Sequence, residues 1–458
     1  MKRLSYLLIA FLTAPALLAE KQSPPPAAPP KPFTLPQVTR FELPNGMKVR
    51  MAQYGSIPKV GIAVVTQTGN ADEASNEIWL ADLVGDILQQ GTVTRSAEEL
   101  ARQFAEMGGP LAVTVSENQT RFTSHVFSES GPQAVATIAD VVRNPSLPQS
   151  ELERLKTNWV RNLAIQRSQQ QQLANEKFWS VLYPGQPYGR YFPTQEMLQG
   201  YTLEQVKGYY ERNFGAARSA IYVVGRFDAG AMERAVRQSF SDWKRGNPPA
   251  DINVAPAGGR KVYLVDKPGA VQSTLMIGLP TIDPSSPDYV ALLVADSLLG
   301  GSFASRITSN IREQKGYTYS PFSTVNIRLH SGTWFEQADV TTNVTGPSIK
   351  EIFAEIDRLR AEAPPQEELT GIQNNMAGIF VLQNSSRQGI INQLAFLDLY
   401  GLAEDYLRNF VQRVFAVTPA EVQRIAKQYL DPSKMAIVVV GDTKVIAEQV
   451  QPYGQVVQ

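Results

Sequence analysis

Residues 202–225 read TLEQVKGYYERNFGAARSAIYVVG and residues 418–441 read TPAEVQRIAKQYLDPSKMAIVVVG; the two align without a gap, and seven of the 24 positions are identical. Each opens on a threonine, Thr202 or Thr418, set before an apolar-periodic run, which is the start signal of a capped amphipathic helix. Each closes, after a short turn, on a β-branched run ending in glycine, Ala220 to Gly225 and Ala436 to Gly441. Such a run signals a buried strand. One repeated helix–strand unit can arise by chance. Here both halves also open on strand-like segments, Met47 to Tyr54 and Lys261 to Asp266, and a polar Pro/Gly stretch, Gly246 to Gly259, falls between them. The pattern is that of an internal duplication.

Working outward, the first half predicts strands at 40–54 and 59–68, helices at 77–90 and 96–107, and strands at 111–117 and 120–128. Helices at 131–141, 149–167 and 172–183 then lead into the repeat unit. The second half predicts strands at 261–266 and 272–279, helices at 286–299 and 302–315, and strands at 317–328 and 331–341. Helices at 346–361, 366–382, 386–399 and 404–414 precede its own repeat unit. The expected fold is α+β: two homologous domains related by a pseudo-twofold, each a mixed, mostly antiparallel sheet covered by helices on one face.

The N-terminus reads as an export signal, with Lys2 and Arg3 ahead of the apolar run Leu4 to Leu18 and Ala19 at the cleavage point. Fifteen residues including Pro15 are short for a membrane span, and no later segment is apolar enough to cross a bilayer. The chain is therefore expected in the periplasm after signal cleavage. Residues 22–36 are rich in proline and alanine, a composition that favours an extended tether. The expected plan is a signal peptide over 1–19, a linker over 20–38, a first domain over 39–245, a linker over 246–259 and a second domain over 260–458.

Composition excludes several kinds of chemistry. Lys+Arg and Asp+Glu are both 43, so zero net charge gives no support for a nucleic-acid partner. There is no cysteine, which removes disulfides, thiolate metal sites, cysteine nucleophiles and a lipid-modified N-terminus. Two histidines, His125 and His330, lie 205 positions apart, and a catalytic zinc site usually gathers two or three. No G-x-S-x-G occurs, so serine hydrolase chemistry has no support either.

In the helix predicted at 77–90, Asp82, Gly85, Asp86 and Gln89 recur at i, i+3, i+4 and i+7 and share one face. Ile78, Ala81, Val84, Ile87 and Leu88 face elsewhere and can pack. Two carboxylates at i, i+4 can contribute to a hard-cation site, but Mg²⁺ or Ca²⁺ needs about six oxygens; solvated residues lining a cavity are the simpler reading.

That helix, with Gly91-Thr92 after it, resembles the inverted zinc motif H-x-x-E-H of the insulinase-like (pitrilysin-type) zinc peptidases. Other stretches carry the same resemblance: Pro44-Asn45-Gly46-Met47-Lys48-Val49, Gly108-Gly109 followed by Thr120 and Phe122, and Tyr183-Pro184-Gly185-Gln186-Pro187-Tyr188-Gly189-Arg190. In the second half, Gly300-Gly301-Ser302-Phe303-Ala304-Ser305-Arg306 and Ile311-Arg312-Glu313-Gln314-Lys315-Gly316-Tyr317-Thr318-Tyr319-Ser320 look like the family's "GG…SRL…IRE..GLAYS" signature. The resemblance covers nearly all of the mature chain.

What it implies is a family member without the family's chemistry. Both histidine ligands are aspartate (Asp82, Asp86), and the glutamate that would activate water is Gly85. The third ligand, a glutamate on a later helix, falls near Asn162, and no acidic residue occurs between Glu153 and Glu176. The family's Asn-Ala pair after the Gly-Gly turn is Ala112-Val113. Arg312 and Tyr319, by contrast, match the arginine–tyrosine pair that holds substrate and helps stabilise the tetrahedral intermediate. The expectation is a periplasmic subunit with no cofactor of its own. It supplies Arg312 and Tyr319 in trans to a homologous, zinc-bearing, H-x-x-E-H partner and helps grip extended peptides. The alternatives are a stand-alone peptide-binding or scaffold pseudoenzyme and, more weakly, an assembly component.

Overall fold

The computed structural model describes residues 34–252 and 254–457. The expected export signal and most of the Pro/Ala tether lie outside the described residues. The first half supplies β1 (Val38–Glu42), β2 (Lys48–Gln53), β3 (Lys59–Thr66), β4 (Ala112–Val115), β5 (Thr120–Phe127) and β6 (Ser219–Gly225). They form one sheet in the order β1-β2-β6-β3-β5-β4. The second half supplies β7 (Lys261–Asp266), β8 (Gln272–Thr281), β9 (Phe322–Arg328), β10 (Ser331–Thr341), β11 (Ala436–Gly441) and β12 (Gln455–Val457), ordered β12-β7-β11-β8-β10-β9.

Five strands of each sheet correspond in order and direction. β2 and β6 run parallel, as do β7 and β11, and the three remaining pairings among the five are antiparallel in both halves. The sixth strand differs. β1 joins β2 through the Asn45-Gly46 turn and pairs antiparallel, whereas β12 arrives from the C-terminus and pairs parallel with β7. In that turn Gly46 has φ 93°, a conformation glycine adopts without Cβ strain. Asn45 ties it down by donating to the carbonyls of Phe240 and Trp243 at 2.6 and 3.0 Å.

The repeat units form as their sequences dictate. Thr202 accepts from the Gln205 amide at 3.3 Å and Thr418 from the Glu421 amide at 3.2 Å, so both threonines are N-caps. Helices Leu203–Asn213 and Pro419–Tyr429 follow, and then β6 and β11, buried at every position. Ile221 and Val223 of β6 join the core beneath that half's own helices, while Ala220, Tyr222 and Val224 face the other way into a separate core. Strand β11 repeats this with Ile437 and Val439 against Ala436, Val438 and Val440.

Here the structure departs from the expectation of helices on one face only. The outer face of each sheet is covered by a helix from the other half. Helix Arg387–Tyr400 lays Ile390, Ile391, Leu394, Ala395 and Leu397 over β3 and β6. Helix Gln170–Leu182 lays Ala174, Phe178, Trp179 and Leu182 over β8 and β11. Offsetting the first helix by the spacing of the repeat gives the second, so the exchange obeys the pseudo-twofold. Polar pins hold it in register: Asp398 accepts from Tyr222 and Arg50 at 2.8 Å each, and the Tyr183 hydroxyl meets Ser331 and Thr333 at 2.7 and 2.8 Å. No helix among the described residues is long and apolar enough to cross a membrane.

Smaller differences have local causes. The stretch 40–54 is a hairpin and not one strand, because of the Asn45-Gly46 turn. The strand expected from 317 starts at Phe322, after Pro321, which has no N–H to give a ladder. The stretch 404–414 breaks at Asn409 into Asp405–Arg408 and Phe410–Ala416. Helices Ala229–Phe240 and Thr443–Val450 follow the two repeat units at corresponding places and were not anticipated.

Candidate functional site

The zinc-frame helix spans Leu80–Ile87 and starts from an unusual backbone. Trp79, its N-cap, has φ 67°, a left-handed conformation that costs a bulky residue of order 1–3 kcal/mol and persists only where its surroundings enforce it. The surroundings do. Glu73 accepts from the amides of Trp79 at 3.2 Å and Ala81 at 2.8 Å, capping the helix start from a distance in sequence. The Trp79 indole donates to the Tyr191 carbonyl at 3.0 Å, and its ring lies 5.3 Å from that of Trp159 and 5.7 Å from that of Phe192.

Each position of the degenerate frame has a definite fate. Asp82 Oδ2 accepts from the Asn70 amide at 2.7 Å, and Asn70 also donates to Glu73 at 3.1 Å. Burial pushes the Asp82 carboxyl up to about 6; Asn70 pulls it down, while Asp86 and Glu117 push it further up. Asp86 Oδ2 accepts from the Trp159 indole at 2.9 Å, and burial raises this carboxyl too. Gly85 faces the edge strand β4: a Cβ built there would stand 2.8 Å from Val115 Cγ2. The place of the water-activating glutamate is thus filled by a valine. Asn162, on helix Gln149–Ser168, lines the same cavity as Asp82.

That cavity, about 280 Å³, is also walled by Trp79, Trp159, Gln166, Tyr188, Tyr191, Glu73, Glu117, Arg190 and, from the second half, Arg328. Arg328 is held in place, donating to the Tyr188 carbonyl at 2.7 Å, pairing with Glu117 at 3.2 Å and stacking on Trp179 at 3.9 Å. Arg190 donates to the Glu73 carbonyl. These residues do not fit zinc. One oxygen of each aspartate is committed to an N–H donor, the third position is a neutral amide, and the described residues hold no group of three or more metal-binding side chains.

The other site residues read from the sequence lie elsewhere. Arg312 stands near the end of a helical turn, Thr308–Gln314, its guanidinium 4.3 Å from the Phe303 ring and its Nε 3.3 Å from Glu313. Tyr319 is 86% exposed. The structure shows no bond between them, and neither lines the cavity of the zinc frame. His125 bonds Gln388 of the exchanged helix at 2.9 Å, and His330 is an exposed turn residue with φ 61°.

Sequence reasoning missed Asn70, Glu73, Trp79, Trp159 and Arg328 as parts of the cavity. It also missed a second buried acidic pair. Glu336, on β10, is wholly buried, and neither carboxyl oxygen has a hydrogen-bond partner. Burial, and Asp296 nearby, hold it well above the usual carboxylate range. Asp296 accepts from Ser323 at 2.5 Å and Trp334 at 2.8 Å, and burial pushes it up to about 6. A charged residue flanked by Phe335 and Gln337 reads as an ordinary strand position, so only the fold reveals this pair.

An α+β duplication with exchanged helices and a degenerate zinc frame defines an insulinase-type architecture. Residues 49–192 match the family model for Insulinase (Peptidase family M16), and residues 200–376 match that for the Peptidase M16 inactive domain. The chain belongs to this family. An uncharacterized zinc protease of Mycobacterium leprae is 24% identical over 86% of this chain and 89% of its own length. One from Bacillus subtilis is 21% identical over 85% and 95% respectively. Among solved structures, a peptidase M16 inactive domain from Pseudomonas fluorescens superposes with a TM-score of 0.83 at 23% identity, covering 89% of this chain and 98% of that one. A protease from Helicobacter pylori gives 0.84 at 18%, covering 89% and 100%. At these identities the structural likeness speaks for the fold alone.

Proposed function

We propose that this chain is the zinc-less subunit of a heteromeric insulinase-like peptidase of the periplasm. In this reading it holds extended peptides and presents Arg312 and Tyr319 to the reaction centre of a partner that carries H-x-x-E-H. The observation that supports it most is the contrast between the two sites. One carboxyl oxygen of each zinc-frame aspartate is taken by an internal donor, whereas Tyr319 is 86% exposed and its hydroxyl makes no hydrogen bond among the described residues. A phenol and a guanidinium together offer donors to a peptide carbonyl or an oxyanion. Peptide strands would add to a sheet edge, a mode in which main-chain hydrogen bonds give affinity without strict sequence preference; β4 and β9 are such edges.

The test mixes the purified chain with an H-x-x-E-H homologue encoded beside it. Peptidase activity that neither shows alone is expected, and Tyr319→Phe or Arg312→Ala should lower turnover with the complex still assembled. Loss of one such donor typically costs about 10²–10³ in rate. If both variants stay within a factor of two, the pair takes no part. Saturable peptide binding by the isolated chain, with no activity in any mixture, would favour the second reading, a stand-alone binding protein.

A further inference from the structure

We propose that the cavity at the degenerate zinc frame is a binding site for a basic side chain, the alkylammonium or guanidinium end of a lysine or arginine in a peptide. The argument starts from its charged groups. Three carboxylates and two guanidinium groups line it: Glu73, Asp82, Glu117, Arg190 and Arg328. Arg328 pairs with Glu117 at 3.2 Å. Glu73 spends its oxygens on the amides of Trp79 and Ala81 and on Asn70, and Arg190 is tied to the Glu73 carbonyl. Asp82 is left. It takes one N–H from Asn70 at Oδ2 and another from its own amide, and among the described residues it forms no ion pair. Asp82 is partly buried and opens onto the cavity. An anion so placed, with Asp86 and Glu117 adding like charge, wants a cation.

The walls specify what kind. Indoles of Trp79 and Trp159, 5.3 Å apart and tilted at 59°, stand beside the carboxylate with Tyr191, and aromatic faces attract organic cations. The side-chain amides of Asn162 and Gln166 add carbonyl acceptors. A volume of about 280 Å³ lies just below the roughly 300–1,000 Å³ of whole small-molecule sites, room for one side chain and not for a folded segment. An organic cation can therefore occupy the place where the family's hydrolytic members carry a metal. The inference deepens the peptide-holding reading above by naming a residue class in the peptide. Its test uses this chain alone, so it can fail while the two-subunit reading stands, and the reverse.

Binding of acetylated tripeptide amides Gly-Lys-Gly, Gly-Arg-Gly and Gly-norleucine-Gly would be measured by calorimetry and tryptophan fluorescence, with n-butylammonium as a second arm. Saturable binding of the lysine and arginine peptides is expected, with at least ten-fold weaker binding of the norleucine peptide. Asp82→Asn should weaken the lysine peptide by about ten-fold or more, since a charge-assisted hydrogen bond becomes a neutral one. Asn162→Lys, which tethers an ammonium inside the cavity, should abolish binding, whereas Asn162→Met, which removes one acceptor and adds no charge, should only weaken it, and this covers the case of a poorly folding Asp82 variant. Butylammonium binding much weaker than the lysine peptide assigns the site to a peptide; equal affinity overturns the peptide source and leaves a small-amine site. Norleucine binding as tight as lysine, or Asn162→Lys binding like the native chain, overturns the proposal.

Discussion

Replacing Glu336 by methionine should stabilise this protein. The residue is wholly buried, neither oxygen of its carboxyl is hydrogen-bonded, and a Cβ at Gly300 would lie 2.6 Å from Oε2, so the glycine backbone closes over it. A buried polar group left unsatisfied costs about 1–3 kcal/mol. Methionine has a similar length and no strong polar atom, and its flexibility suits the space under Gly300. Allowing for some repacking strain, a net gain of about 1–2 kcal/mol is expected, a rise of roughly 1–2 °C in Tm for a chain of this size. The pH dependence sharpens the test. Because the folded pKa of Glu336 lies above its unfolded value, its contribution is fully favourable below about pH 4.5 and is lost as pH rises through the folded pKa. Asp296, raised to about 6, acts in the same direction. The native chain should therefore melt lower at pH 7.5 than at pH 5, with a slope of at most about 1.4 kcal/mol per pH unit for each group. Glu336→Met should flatten that slope. Differential scanning calorimetry from pH 4.5 to 8 measures both effects. A variant that melts more than 2 °C below the native chain, with its pH slope unchanged, would refute the reasoning.

Grafting the full zinc motif, Asp82→His with Gly85→Glu and Asp86→His, should neither bind zinc stoichiometrically nor hydrolyse peptides. Gly85→Glu alone should cost about 1–3 kcal/mol because its Cβ meets Val115 at 2.8 Å; elemental analysis and thermal melts check both. Leu394→Ala removes a side chain 2% exposed between the exchanged helix and the first sheet and should cost about 2–5 kcal/mol in chemical denaturation. Tyr319→Phe should leave Tm within about 1 °C, since an exposed residue without partners contributes within ±0.5 kcal/mol.

What was legible in the sequence was whatever local pattern controls. The threonine caps, the buried β6 and β11, and the shared face of Asp82 and Asp86 all follow from periodicity and cap chemistry. The exchange of helices was not legible, because Ala174, Phe178, Trp179 and Leu182 announce an apolar face without naming the sheet it will cover. The cavity was half legible. Asp82 and Asn162 came from the family frame, and the structure brings them to one cavity. Trp79 could not be anticipated, since its left-handed backbone is imposed by Glu73 and the Tyr191 carbonyl. Nor could Glu336, whose isolation depends on Gly300 and Asp296 closing around it. Asp86 and Trp159 meet across 73 positions, a contact that no spacing rule predicts.

The exchanged helices also set the order in which this chain can be made. Strands β3 and β6 are complete once residue 225 has emerged, but the helix that covers their outer face ends at Tyr400. Until then Ala63, Val65, Tyr222 and Val224 form an open apolar surface, and so long a separation makes closure slow. During synthesis, which proceeds from the N-terminus, the first half must wait, exposed, for the second. A gene cut at the interdomain stretch should accordingly give two fragments that aggregate apart and rescue each other when produced together.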